Sequence, residues 1–184
     1  MSDVIIANTD LITGEDLLRM GNTERCELID GRIVSMSPVG DSQAFVEFNL
    51  GAELRTFVRQ HNIGRVLGGE VGIYIRRNPD RIRAADVLVV SKERLPQLTG
   101  HFLEITPELV VEVISPGDRW QDVREKIADY FSIGVEQVWI VEPELRKILI
   151  YRSTTDIEEF QDSDELVGDG ILAGFTIKIS ELFE

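Results

Sequence analysis

Cysteine is almost absent from this chain, and its scarcity closes off two chemistries at once. The single Cys26 cannot form an internal disulfide, and it lacks the Cys and His neighbours of a zinc site. Histidine is nearly as scarce: the only two, His61 and His101, stand alone in polar contexts and read as surface or loop residues. No stretch approaches the roughly 18 consecutive apolar residues of a membrane span. Met1–Asp10 has neither the basic start nor the continuous apolar run of a signal peptide, so a cytoplasmic protein with no membrane partner is expected. Positive charge is the last shortage. With 33 Asp plus Glu against 19 Lys plus Arg, the net charge of -14 repels a phosphate backbone over much of the surface. Any contact with nucleic acid must therefore be local.

What remains is an ordinary soluble composition, 43% hydrophobic and 28% charged, over a length of 184 residues that suits one domain. The expected core runs from about residue 11 to 152, with a C-terminal extension over 153–184 and no internal repeat. A short helix is expected over Leu11–Met20 with Thr13 as its cap, then a hairpin of Cys26–Ile29 and Arg32–Met36 around Asp30-Gly31. Val46, Leu50, Leu54, Phe57 and Val58 recur at helical spacing within Ser42–Gln60. Val66–Ile75, with glycines at 68, 69 and 72, reads as a strand or bent strand pair, the basic Arg76–Arg83 as a loop, and Ala85–Val90 and Leu109–Ile114 as central strands. Trp120, Val123, Ile127, Tyr130 and Phe131 mark a further helix ending near Gly134, followed by a hairpin of Gln137–Val141 and Lys147–Arg152. Trp120 and Trp139 suit packing positions, and the acidic 156–165 stretch reads as a loop or outer strand. The pattern indicates an α/β (α+β) fold whose two central strands are covered on both faces.

Two acids interrupt this pattern. Asp86 sits in Ala85-Asp86-Val87-Leu88-Val89-Val90 and Glu112 in Leu109-Val110-Val111-Glu112-Val113-Ile114, runs that otherwise read as buried strand. An ionised carboxylate in such a place costs several kcal/mol, roughly, unless it is paired, hydrogen-bonded or bound to a metal. Strand alternation puts Glu112 on one face with Val110 and Ile114. Lys126 lies at the edge of the apolar face of the next helix, where it can reach back toward the sheet. Asp86 and Glu112 could hold Mg²⁺ or Mn²⁺, while Lys126 orients water or stabilises developing charge. Glu47 is a further anomaly, because at 100° per residue it falls within roughly 20° of Leu54 and Val58 in a core-facing stripe. Arg76, Arg77, Arg81 and Arg83 form the densest basic cluster and could grip phosphates; the plainer reading is a solvated loop neutralised by neighbouring acids.

These residues carry a resemblance. Glu27-Leu28-Ile29-Asp30-Gly31, Asp86 in its strand, Pro107 through Pro116 around Glu112, Lys126 with Tyr130, and Gly134 through Pro143 resemble the bacterial restriction-endonuclease-like family of the PD-(D/E)XK nuclease superfamily. The resemblance spans roughly Leu11–Arg152 and implies a restriction-endonuclease-like core, a mixed central sheet flanked by helices with catalytic acids on adjacent strands, that cuts DNA with Mg²⁺. It makes Asp86 and Glu112 metal ligands and Glu27 a further acid at the site. Two positions after the second acid, where the superfamily commonly has lysine, stands Ile114; a lysine from the following helix is a variation of that pattern, and Lys126 takes the part. Ala85 replaces a frequent proline, Gln43 replaces a frequent histidine and leaves Glu47 as a possible substitute, and Pro79-Asp80 matches the motif only in a polar loop. The competing expectation is a catalytically degenerate nuclease-fold binding protein with structural acids. With no separate recognition domain, sequence-specific cutting would call for a partner or a homodimer.

Overall fold

Local signals near the start of the chain are strong enough to fix its first elements. The computed structural model describes residues 11–21 and 25–184, so the expectation for Met1–Asp10 lies outside the described residues. Thr13 caps α1 (Gly14–Met20): its hydroxyl accepts the Asp16 N–H, and the Asp16 carboxylate accepts the Thr13 N–H in return. β1 (Cys26–Ile29) and β2 (Arg32–Ser35) flank Asp30 and Gly31, whose φ angles of 53° and 76° are the two positive values a type I′ turn requires. α2 (Asp41–His61) buries Val46, Leu50, Leu54, Phe57 and Val58, the stripe read from the sequence.

β3 (Gly64–Arg76) and β4 (Arg81–Ser91) form a long hairpin. This corrects the expected loop over Arg76–Arg83, because only residues 77–80 turn and both Arg81 and Arg83 belong to β4. Arginines at the start of a strand look like loop in sequence; here carboxylates from elsewhere in the fold neutralise them. β5 (Leu109–Val113), α3 (Trp120–Ser132), β6 (Gln137–Glu142), β7 (Lys147–Tyr151) and β8 (Ile157–Gln161) follow, and β9 (Glu165–Val167) pairs with β10 (Thr176–Lys178) in a small second sheet.

The main sheet runs β2-β1-β4-β5-β6-β7-β8, with β3 along the other edge of β4. Its named pairings are antiparallel except β5 with β6, which α3 connects. One face of the sheet, with Val87, Val111 and Trp139, packs on the α2 stripe; the other, with Leu88, Val110 and Ile140, packs on Val123, Ile127 and Tyr130 of α3. The segment set apart in sequence as an extension supplies Leu166, Leu172, Phe175, Ile177, Ile179 and Leu182 to the α2 side, so it completes that layer of the core.

The architecture forks at β4. One of its edges pairs with β3. The opposite edge is shared: β1 meets it at Ile82, and β5 meets it from Val87 to Val89. Between those pairings, residues 83–86 have no strand partner on that side, and side chains take over the backbone groups there. Ala84 donates its N–H to Glu27, and its carbonyl accepts from Lys126. Unpaired main chain inside a sheet is costly unless satisfied, which is why charged side chains belong at this fork.

Candidate active site

The β4–β5 register pairs Val87 with Val111, and one further step sets Asp86 across from Glu112. The two acids feel each other, since the Asp86 charge raises the pKa of Glu112. Both are buried. The backbone ladder ends here, since the Val113 N–H donates to Asp86 Oδ2 at 2.7 Å. Among the described residues Asp86 Oδ1 accepts no hydrogen bond.

Glu112 is held at both oxygens from α3. Lys126 Nζ donates to Oε2 at 2.7 Å, and the buried Tyr130 hydroxyl donates to Oε1 at 2.5 Å. Lys126 and Tyr130 are four residues apart, so one helical face presents both donors to one carboxylate. Lys126 also donates to the Ala84 carbonyl at 3.1 Å and forms an ion pair with Glu27 Oε1 at 3.3 Å. Glu27 lies across the fork on β1, accepting from Arg83 at 2.7 Å and from the Ala84 N–H at 3.1 Å.

The electrostatics show a shortage of cations. Burial pushes the Asp86 carboxyl up to about 6, against the pull of the Val113 N–H and Lys126. Burial pushes Glu112 to about 7, with Asp86 adding to the rise and Lys126 opposing it. Burial also penalises ionised Glu27, but Lys126 and Arg83 outweigh it and hold that carboxyl below its ordinary value. Desolvation penalises the half-buried Lys126 ammonium too, yet Glu112 and Glu27 raise its pKa, so it stays charged. Burial and Glu112 likewise keep the Tyr130 hydroxyl protonated as a donor. One lysine therefore stabilises Glu27 and still leaves the Asp86–Glu112 pair under-neutralised.

That shortage, with the open Oδ1 of Asp86, fits a hard divalent cation on oxygen donors. Among the described residues no three His, Cys, Asp or Glu converge as a ready-made metal cluster. Two carboxylates with water completing the shell is nevertheless a usual arrangement for Mg²⁺.

The site opens into a cleft of about 710 Å³ whose walls include Glu27, Asp86, Glu112 and Lys126. The structure thus brings together four of the five acid and lysine candidates. Glu47, half-buried on α2, stands at the margin: burial raises its pKa and Glu112 adds to the rise, while the Glu47 charge in turn raises Asp86. Gln43, one turn earlier, lines the cleft and donates to the Val113 carbonyl. Two residues escaped the sequence reading. A bulge in β3 between Gly68 and Val71 lies level with Asp86, and there Glu70, at φ 63°, turns into the cleft and pairs with Arg25. The doublet Gly68-Gly69 within a strand was the available signal.

In the arginine tract each guanidinium is paired with carboxylates. Arg83 is buried among Glu27, Glu125 and Asp129, and Arg81 among Asp30, Glu125 and Asp129. Arg76 pairs with Asp30; Arg77 contacts Glu15 at 2.8 Å and Glu104 at 2.5 Å, and its guanidinium lies 3.5 Å from the Tyr74 ring centre. Of the four, only Arg83 lines the cleft, and there it serves as counter-ion to Glu27.

A mixed sheet between helices, forked at β4 and carrying acids on adjacent strands, is a restriction-endonuclease-like fold. The crystal structure of "a putative nuclease belonging to DUF820" from Anabaena variabilis superposes with a TM-score of 0.79 at 20% identity, covering 94% of this chain and 97% of that one. This chain belongs to the Uma2 family, described as "Putative restriction endonuclease", which it matches over residues 15–180. No curated protein matches it.

Proposed function

We propose that this protein is a divalent-cation-dependent nuclease that hydrolyses phosphodiester bonds in DNA. The observation that carries the reading is the buried, opposed pair Asp86 and Glu112, both raised in pKa beside a lysine that cannot neutralise them. Those two carboxylates would hold Mg²⁺ or Mn²⁺. When bound, the cation supplies the positive charge and Lewis acidity that phosphodiester hydrolysis needs and this acidic chain lacks. The protein's own residues do the positioning. Tyr130 and Lys126 fix the Glu112 carboxylate from one helix, and the Val113 N–H fixes Asp86 with its second oxygen toward the cleft. The longest of the three Lys126 contacts is to Glu27, which keeps Arg83 as a second partner. Lys126 can therefore release Glu27 and turn one N–H toward an attacking water or a developing charge.

Membership of the Uma2 family supports this reading. The test is cleavage of supercoiled plasmid and of a labelled RNA with Mg²⁺, Mn²⁺ or EDTA. Cation-dependent nicking that Asp86→Asn abolishes is the expected result. A second reading, a binding protein with structural acids, is favoured by one observation: Lys126 is already held by Glu112, the Ala84 carbonyl and an ion pair with Glu27. It predicts no cleavage with either cation and unchanged cation binding in Asp86→Asn.

A further inference from the structure

Phosphate recognition in this cleft faces the charge problem posed by the whole chain. Four cations line it, Arg25, Arg83, Arg119 and Lys126, against seven acids. Three of the four are engaged: Arg25 with Glu70, Arg83 with Glu27, Glu125 and Asp129, and Lys126 with Glu112 and Glu27. Arg119 differs. Its exposed side chain makes no ion pair or hydrogen bond among the described residues. Its backbone, by contrast, is fixed, because the Arg119 carbonyl accepts the N–H groups of Asp122 and Val123 as α3 begins.

That position adds two further contributions. Arg119 is the N-cap of α3 and makes no side-chain capping bond, so the positive end of a helix of 13 residues, with Asp122 in its first turn, begins at this residue. The same helix carries Lys126 and Tyr130 about two and three turns further on, at Glu112. A planar guanidinium matches two oxygens of a phosphodiester at once, and an exposed one loses no existing partner when it binds. Other cations without an ion pair, such as Arg55 and Arg59 on α2, do not line the cleft.

We infer that Arg119 is the phosphate anchor of the cleft, gripping a backbone phosphodiester of the nucleic acid beside the one presented to Asp86 and Glu112. The inference rests on the nuclease reading and assigns substrate contact to Arg119 in place of the Arg76–Arg83 tract. Because Arg119 is exposed and unpartnered, replacing it leaves the fold intact, and thermal melts by circular dichroism check this directly.

The deciding experiment is fluorescence-anisotropy titration of a short labelled DNA duplex in Ca²⁺, at several salt concentrations, with the full chain. Arg119→Ala is expected to weaken binding by at least about tenfold and to reduce the slope of log affinity against log salt by about 1. Arg119→Lys should keep most of that slope, and Arg77→Ala should stay within about twofold of wild type. If Arg119→Ala binds as wild type does with an unchanged slope, the inference is overturned while the nuclease reading stands. Wild type that neither binds the duplex nor cleaves plasmid would overturn both.

Discussion

Two charged regions of this molecule look alike in sequence and are opposite in physics. At the β3–β4 turn, Arg76, Arg77, Arg81 and Arg83 meet Asp30, Glu15, Glu104, Glu125 and Asp129, so every guanidinium has at least one carboxylate. At the fork, three buried acids share Lys126, and two of them are left with raised pKa values. The first region is matched and joins β1, β4 and α3. The second is mismatched and faces a cleft. Charge density in a sequence therefore says little about binding; unmatched charge at a cavity says more.

The comparison breaks most visibly at Arg83, the residue the two regions share. Arg83→Met leaves Glu27 buried with one cation fewer and should lower stability by about 3–5 kcal/mol, read as a shift in urea midpoint at unchanged slope. Arg76→Ala, whose pair is about half exposed, should cost under about 1 kcal/mol in the same titration. Next in size is the loss of plasmid nicking. Asp86→Asn and Glu112→Gln should each reduce it by at least about 100-fold, the upper end of the cost of losing even an outer-shell partner. That corresponds to about 2.7 kcal/mol of barrier. Arg77→Ala should nick as wild type does.

A pH titration sharpens the contrast without asking for activity. A carboxyl raised to about 7 at Glu112, or about 6 at Asp86, keeps its proton in the folded state where the unfolded chain has already released it. The folded state then binds more protons between roughly pH 4 and 7, so this contribution to stability is complete below pH 4 and lost as pH rises through the folded values. The difference in unfolding free energy between wild type and Glu112→Gln should fall by on the order of 2 kcal/mol across that window. Cation affinity should run the other way, rising as the pair ionises. The smallest effect belongs to Glu47→Gln. Removing its charge, which raises Asp86, should move the midpoint of that affinity rise to lower pH by a fraction of a unit, in a Mn²⁺ titration followed by electron paramagnetic resonance.

Much of the fork was legible because its signals are local. Alternation put Glu112 on the face with Val110, helical spacing put Lys126 at the edge of the α3 stripe, and Asp30-Gly31 announced the hairpin that carries Glu27. What escaped depends on contacts distant in sequence. The strand start at Arg81 needs Asp129 from α3 and Asp30 from the hairpin before it can be a strand at all. Glu70 enters the cleft only because a bulge reverses its direction, and a one-residue slip is invisible to a period of two. Tyr130 counts as an apolar stripe residue in sequence, although its hydroxyl ends on Glu112. Arg119 looked no different from the other arginines, since having no partner is a property of the folded surface.

The most direct test of the fork as a cation site is a crystal structure of the full chain soaked in Mn²⁺, read by anomalous scattering. The charge shortage at Asp86 and Glu112 predicts a peak between them, with carboxylate oxygens at about 2.1 Å, near the distance of Mg²⁺ ligation. A map with Lys126 still joined to both Glu112 and Glu27 and no peak at the pair would contradict it.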